Sequence, residues 1–198
     1  FKLDVMLNGK IDKKKRIYKK SIIIAPTNYL AFKKFSLYRY LDELIGTLIK
    51  HNQYNIIFRP HPSNINSYNV IKIFNKYSNF KKFYFDQSSD YSKTYLNSLA
   101  LITDISGTAY TYAFYTKNPV IFFRTYKKSI EKKFLDLKYF QDRKKIGRIF
   151  NTLKSFEKIN LVIANKSIFK KNIQKILKNN FSIIKTKNNF FMFLENIS

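Results

Sequence analysis

Residues 99–123 read LALITDISGTAYTYAFYTKNPVIFF, and this stretch decides the fold that the sequence predicts. It begins with a short apolar run without polar alternation, which is typical of a parallel strand buried on both faces. Asp104 ends that run, a segment compatible with a helix follows, and Pro119 precedes a second apolar run. The pattern therefore predicts a strand–helix–strand unit of an α/β domain.

The turn between the first strand and the helix contains Ser106, Gly107 and Thr108. Gly107 allows a tight turn or a close approach, and Ser106 or Thr108 can cap the helix. A helix that begins there directs unpaired N–H groups and the positive end of its dipole toward the carboxyl edge of the sheet, where ligands of open parallel sheets bind. The turn is therefore a candidate anion site. An ordinary capped helix start explains the same residues.

A second candidate site follows another apolar strand. Residues 54–63 read YNIIFRPHPS, so Arg59 and His61 alternate with Pro60 and Pro62 where the strand ends. The two prolines exclude a helix and stiffen the loop. Arginine presents a permanent forked charge that suits phosphate, and histidine can donate a hydrogen bond or a proton near neutral pH. A turn histidine bonded to backbone carbonyls is the alternative for His61.

Together these segments resemble the CDP-glycerol glycerophosphotransferase family, whose best-known members are the teichoic acid polymerases. The resemblance covers roughly residues 1–165 and rests on five segments: FRPHPS at 58–63, ITDISGTAYTYAF at 102–114, KNPVIFF at 117–123, SIIIAPT at 21–27 and DLKYFQDRKKIG at 136–147. Where many members have two serines, this chain has Ser106 and Gly107, which is compatible with a different donor.

The resemblance implies a fold and a donor site. The fold is a Rossmann-like parallel sheet flanked by helices, the C-terminal half of a glycosyltransferase-B fold. The residues expected to bind the donor are those of the two motifs: Arg59, His61, Asp104, Ser106, Gly107 and Thr108. His61 is the catalytic candidate, as a proton donor or a hydrogen-bond donor to the leaving phosphate. Asp104 is expected to orient His61 or Ser106 rather than to bind magnesium, since a lone carboxylate makes a poor metal site. The base that activates the acceptor is expected in the N-terminal half.

The rest of the chain predicts strands that alternate with helices, and hence a parallel sheet with right-handed crossovers. The further strands are predicted at 21–25, 54–58 and 82–85, and the further helices at 36–48, 67–77, 153–163, 168–177 and 190–197, with a helical turn at 91–98. Ser36 can cap the first of these helices, whose apolar face is formed by Leu37, Leu41, Leu44, Ile45 and Leu48. In the resembled family the region 124–143 closes over the nucleotide.

The predicted domain division separates residues 1–20, an interdomain connector, from a nucleotide-donor-binding domain at 21–198 with C-terminal helices. The connector contains the charge run KIDKKKRIYKK at 10–20. In the resembled family a Lys/Arg-x-Asp segment, matched here by Lys2 and Asp4, lies where the chain crosses between domains. The chain is therefore expected to begin there, without the N-terminal domain.

Composition narrows the class of protein. The 198 residues are 45% hydrophobic and 18% aromatic, enough to fill one α/β domain. The chain has no cysteine and two distant histidines, so no disulfide, thiolate metal site or zinc motif is expected, and no cofactor is predicted. No apolar run approaches the roughly 20 residues that span a bilayer. A cytoplasmic location is expected. Peripheral attachment to the inner face of the cell membrane is a second possibility.

The formal charge of +26 would ordinarily favour a nucleic-acid-binding protein. Only six of the 38 basic residues are arginine, although arginine provides the bidentate base contacts of nucleic-acid surfaces. The chain is also rich in Asn, Ile, Phe and Tyr, which like Lys have A/T-rich codons, so genome composition explains much of the excess. A basic face that binds anionic lipid or a polyanionic glycan is the remaining interpretation, since each lysine near an anionic membrane contributes about 1 kcal/mol of binding free energy.

The function predicted first is the donor-binding part of a transferase. It moves glycerol phosphate, or a related phosphoalcohol or sugar, from a CDP-type donor to a polysaccharide or lipid-linked acceptor in teichoic-acid-like or capsule synthesis. Fixed N–H groups at Gly107 and Thr108 would stabilise the charge that grows on the leaving phosphate. The alternatives are a CMP- or UDP-sugar glycosyltransferase or epimerase of glycosyltransferase-B fold, and a basic nucleic-acid-binding module. The fragment alone is expected to be inactive.

Overall fold

A six-stranded parallel sheet runs through the computed structural model, which describes residues 20–51, 53–127 and 137–183 apart from the side chains of 180–183. The strands in chain order are β1 (Ser21–Ile24), β2 (Asn55–Phe58), β3 (Phe83–Phe85), β4 (Ser98–Thr103), β5 (Val120–Phe123) and β6 (Gly147–Phe150). They lie in the order β3-β2-β1-β4-β5-β6, and every neighbouring pair is parallel. This is the strand order of a Rossmann sheet, so the predicted fold class is confirmed.

Helices cover the sheet on both faces. In the described residues they are α1 (Leu41–His51), α2 (Tyr68–Tyr77), α3 (Ser92–Leu96), α4 (Thr108–Thr116), α5 (Lys138–Ile146), α6 (Ile159–Ala164) and α7 (Lys166–Ile183), with 3-10 helices at Leu37–Tyr40, Pro62–Asn64 and Leu153–Lys158. The helix α1 packs against the last 3-10 helix, whereas α7 packs against α4 and α5. Because the chain runs outward from β1 in one direction and from β4 in the other, right-handed crossovers place the two sets of helices on opposite faces.

The core forms where the sequence is apolar. All four residues of β1 are buried, which fits a central parallel strand with helices on both sides. On α1 the buried residues are those of the predicted face: Leu41, Leu44, Ile45 and Leu48. Ser36 caps the 3-10 helix Leu37–Tyr40, which leads into α1, by accepting a hydrogen bond from the Tyr38 N–H, as its position predicts.

Two expectations need correction, and two elements were not predicted. The helix predicted at 153–163 is a 3-10 helix followed by α6, because Leu153, Phe156 and Ile159 recur every three residues, the period of a 3-10 helix. The helical turn predicted at 91–98 is shorter, since Ser98 already pairs with Ser21 in the sheet. No element was predicted for residues 137–150, which contain α5 and β6. Residues 1–19 and the helix predicted at 190–197 lie outside the described residues.

Gly147 allows β6 to join the edge of the sheet. A Cβ atom at this position would lie 1.8 Å from the carbonyl oxygen of Val120 on β5. The backbone of Gly147 is extended, so the requirement for glycine comes from the close approach of the two strands.

We expect Gly147→Ala to lower the free energy of unfolding by about 3 kcal/mol, because the added methyl group displaces the strand backbone. Gly46→Ala is the matched control: Gly46 lies in α1, and a Cβ there would come no closer than 3.6 Å, to the Tyr77 hydroxyl. That variant should gain up to about 1 kcal/mol from helix propensity. Urea unfolding measures both, and equal effects at the two positions would contradict the packing of β6.

Candidate functional site

Three loops meet at the carboxyl edge of the sheet, where the strand order reverses between β1 and β4. They are the β1 loop (residues 25–36), the β2 loop (59–67) and the β4 loop (104–107). Ligands of open α/β sheets bind in the crevice outside this point. The two sequence motifs therefore lie at the same edge, with β1 between them. The donor site that the resemblance implies requires Arg59 and the Gly107 amide to face one cleft, and this stays a prediction.

Asp104 connects the β1 and β4 loops. Its carboxylate is fully buried and accepts hydrogen bonds from the backbone N–H of Thr27 at 3.0 Å and of Leu37 at 2.8 Å. Thr27 stands near the start of the β1 loop and Leu37 directly follows its end, so one side chain fixes the loop at both ends. Direct contact of Asp104 with a ligand stays a prediction, whereas its hold on the β1 loop is observed.

Burial raises the pKa of Asp104 to about 6, although the amides of Leu37 and Thr27 act in the opposite direction. The loss of hydration disfavours the charged carboxylate more than the two N–H donors favour it. The charge of this group therefore changes in a range where exposed aspartates are fully ionised.

The turn before α4 has an ordinary backbone. Gly107 is the residue before the helix and has a φ of −59°, so the turn itself does not require glycine. The Ser106 hydroxyl accepts a long hydrogen bond of 3.4 Å from the Thr108 N–H. The hydroxyl of Tyr139, on α5, donates to the Ser106 carbonyl at 3.4 Å and thereby connects α5 to the turn.

Arg59 is bound by the β3 loop (residues 86–91). One terminal nitrogen, Nη1, donates to Asp86 at 2.8 Å, and the other, Nη2, donates to the Ser88 carbonyl at 2.7 Å. That Arg59 binds the nucleotide-linked donor stays a prediction, but its bonds to Asp86 and Ser88 already use part of its hydrogen-bonding capacity. The sequence did not lead us to Asp86 as the partner of Arg59. The only signal was its position as an acidic residue directly after a predicted strand.

His61 stands at the start of the 3-10 helix Pro62–Asn64 in the β2 loop, and its Nδ1 accepts a hydrogen bond from the Ser63 N–H at 3.2 Å. The neutral ring therefore has its proton on Nε2, which is the nitrogen left to donate. Partial burial lowers the pKa of His61, so the ring is neutral at pH 7. This arrangement differs from the alternative of a histidine bonded to carbonyls.

Asn64 ties the β2 loop to the β1 loop. This fully buried residue accepts a hydrogen bond from the Tyr29 N–H at 2.8 Å. Together with the bond from Thr27 to Asp104, it makes the β1 loop a bridge between the two motif loops. Sequence reasoning missed this bridge because Asn64 stands in a turn, where asparagine is common for local reasons.

Among the described residues, no three His, Cys, Asp or Glu side chains lie close enough to hold a metal ion. None of the helices in the same part of the chain is long and apolar enough to cross a membrane.

The sequence model of the family described as CDP-Glycerol:Poly(glycerophosphate) glycerophosphotransferase matches residues 8–184. No individually curated protein matches the chain significantly. Among solved structures, the wall teichoic acid polymerase TagF is similar at 23% identity and a TM-score of 0.54, over 98% of this chain and 48% of that chain. The chain thus spans about half the length of that polymerase.

Two further structures share the fold. TarM is similar at 13% identity and a TM-score of 0.52, over 90% of this chain and 35% of that one. The UDP-GlcNAc 2-epimerase of Methanocaldococcus jannaschii, solved with UDP-GlcNAc and UDP, gives 15% identity and a TM-score of 0.52, over 88% of this chain and 49% of that one. At these identities the likeness shows the fold alone, which is Rossmann-like and of glycosyltransferase-B type.

The raised pKa of Asp104 predicts a specific pH dependence of stability. The folded carboxyl keeps its proton up to about pH 6, whereas the unfolded chain loses it near pH 4. Relative to Asp104→Asn, the wild-type protein should therefore lose about 3 kcal/mol of unfolding free energy as the pH rises from 4 to beyond 6. Urea unfolding of both proteins across this range measures the difference, and a constant difference would contradict the assignment.

Proposed function

This chain belongs to the CDP-glycerol:poly(glycerophosphate) glycerophosphotransferase family, and from that membership we propose that it is the donor-binding domain of a transferase that extends a cell-surface polymer. The donor is CDP-glycerol, and the acceptor is a hydroxyl of a polysaccharide or lipid-linked chain of the teichoic acid or capsule type. The observation that carries the proposal is the meeting of the β1, β2 and β4 loops at the switch point of the sheet, with Asp104 fixing two of them.

The transfer forms one phosphorus–oxygen bond and breaks another. The acceptor oxygen attacks the phosphorus that bears glycerol, the bond to the bridging oxygen breaks, and CMP leaves with the electron pair. Negative charge grows on the leaving phosphate, and donors that are already in place stabilise it without reorganisation. We assign this task to the amides of Gly107 and Thr108 and to the hydroxyls of Ser106 and Thr108, at the positive end of the α4 dipole. The Thr108 N–H exchanges its long bond to the Ser106 hydroxyl for the phosphate.

His61 acts in this proposal through its Nε2–H. Because Nδ1 accepts from Ser63 and the pKa is lowered, the ring at pH 7 is a neutral hydrogen-bond donor. A neutral imidazole is a weak acid, so stabilisation of the leaving phosphate by a hydrogen bond is favoured over full proton transfer. The proton of the acceptor hydroxyl goes to a base that we assign to none of the described residues.

A related donor is the main alternative, since a protein of the same fold was solved with UDP-GlcNAc and UDP. Calorimetric titration with CDP-glycerol, CMP-sugar and UDP-GlcNAc tests the assignment, and we expect measurable binding for the CDP compound only.

Residues 1–198 alone should bind CDP-glycerol without consuming it, since a glycosyltransferase-B site lies between two domains. Turnover by these residues, or tighter binding of RNA than of CDP-glycerol in physiological salt, would contradict the proposal.

We place the enzyme at the cytoplasmic face of the membrane, where a lipid-linked acceptor and a nucleotide-linked donor meet. The net charge of +26 supports contact with anionic lipid or with a polyanionic product.

In the complete protein, His61→Ala should reduce turnover by on the order of 100-fold, the cost of one transition-state hydrogen bond. His61→Gln should recover part of the loss because its amide donates a hydrogen bond without supplying a proton. His51→Ala is the control: His51 is the other histidine, exposed at the far end of α1, and its removal should leave turnover unchanged. Turnover of folded His61→Ala near the wild-type rate would remove His61 from the mechanism.

A further inference from the structure

A polar cluster around the buried Asp86, which neither sequence motif contains, joins the β2 and β3 loops. Asp86 is 8% exposed. Its Oδ2 accepts hydrogen bonds from Arg59 Nη1 at 2.8 Å and from the Thr94 hydroxyl at 2.7 Å, and its Oδ1 accepts from the backbone N–H and the hydroxyl of Ser88. A carboxylate that accepts four hydrogen bonds, one of them from a guanidinium group, is held in a single orientation.

The short helix α3 continues this connection to α4. Thr94 bonds to Asp86, and the next residue, Tyr95, is 2% exposed. The Tyr95 hydroxyl lies 2.5 Å from the Thr108 hydroxyl oxygen in the first turn of α4. The Tyr95 ring also contacts the Tyr112 ring at a centroid distance of 5.2 Å, so the phenol has little freedom to move.

The Tyr95 contact determines what the Thr108 hydroxyl can do. A phenol is a stronger acid than an alcohol, so the Tyr95 O–H is the better donor of the pair. When Tyr95 donates, the Thr108 oxygen accepts and its own hydrogen points elsewhere. Thr108 then has a free O–H to donate to an anion beside the start of α4.

We propose that Asp86 and Tyr95 are positioning residues, which hold the Arg59 loop against the first turn of α4 and orient the Thr108 hydroxyl toward the phosphate of the donor. This inference rests on the proposed function for its ligand, whereas the link between the loops does not depend on the ligand. The β1 loop already connects the backbones of the β2 and β4 loops through Asn64 and Asp104. The connection through Asp86, Thr94 and Tyr95 sets the orientation of the Arg59 and Thr108 side chains.

A pair of tyrosine variants separates positioning from general stability. Tyr95→Phe removes the hydroxyl that contacts Thr108. Tyr112→Phe is the matched control, since Tyr112 is fully buried and its hydroxyl lies 2.9 Å from Ser98, at the opposite end of β4. Each variant removes one tyrosine hydroxyl that is hydrogen-bonded to another side chain, so both should lose stability. Only Tyr95→Phe should raise the KM for CDP-glycerol, by about fivefold, with a smaller change in kcat.

The carboxylate has its own matched pair. Asp86→Asn keeps the shape but loses the charge that holds Arg59, and we expect the KM for CDP-glycerol to rise about tenfold. Asp90→Asn is the control for charge in the same loop: the exposed Asp90 feels the charge of Arg59, but its carboxylate accepts from Ser92, at 2.8 Å from its N–H and 2.5 Å from its hydroxyl, whereas Arg59 donates to Asp86. Its KM should stay at the wild-type value.

Hydrogen exchange of the amides at residues 106–110 makes the test independent of the donor. Tyr95→Phe and Asp86→Asn should increase exchange there, and Tyr112→Phe and Asp90→Asn should not. Unchanged exchange in the first two variants, or equal KM values in Tyr95→Phe and Tyr112→Phe, would overturn the inference. Increased exchange in a protein that binds no CDP-glycerol would support the link between the loops and reject the proposed function.

Discussion

The hydrogen bonds from the Thr27 and Leu37 amides to the buried carboxylate of Asp104 are the interaction on which the carboxyl edge depends. These amides stand 10 residues apart in the chain, near the start and directly after the end of the β1 loop, and a single side chain from the β4 loop binds both. Loss of the acceptor would leave two buried N–H groups unpaired, at about 1–3 kcal/mol each. The β1 loop, which crosses the switch point, would then lose its register with the turn before α4.

Buried and half-exposed polar groups have different tasks at this edge. Asp104, Asp86 and Asn64 are buried, and their side-chain oxygens accept hydrogen bonds from loop amides or from Arg59 and Thr94. The groups that could meet a ligand, His61 Nε2 and the amides and hydroxyls of residues 106–108, are donors. These buried side chains thus hold the frame as acceptors, and the edge that faces a ligand is rich in donors, which suits a diphosphate. The positive charge of the whole chain attracts the same class of ligand from a distance.

The sequence allowed the prediction of the features that have a local cause. Buried parallel strands read as unbroken apolar runs, so β1, β2, β4 and β5 were found within one or two residues of their ends, and the two motif loops follow from those ends. The roles of Asp86 and Tyr95 could not be predicted, because their partners become neighbours only through the order of β3, β2, β1 and β4. The strand β6 was missed for the same reason. Gly147 is required by Val120, which lies 27 residues earlier in the chain.

A crystal structure of the complete protein with CDP bound would show whether the sheet edge at β1 and β4 holds the donor diphosphate. We expect diphosphate oxygens within about 3.2 Å of the Gly107 or Thr108 amide and of His61 Nε2. We also expect Asp104 to stay bound to Thr27 and Leu37 beneath the ligand. A diphosphate bound away from the β2 and β4 loops, with His61 and the start of α4 open to solvent, would contradict it.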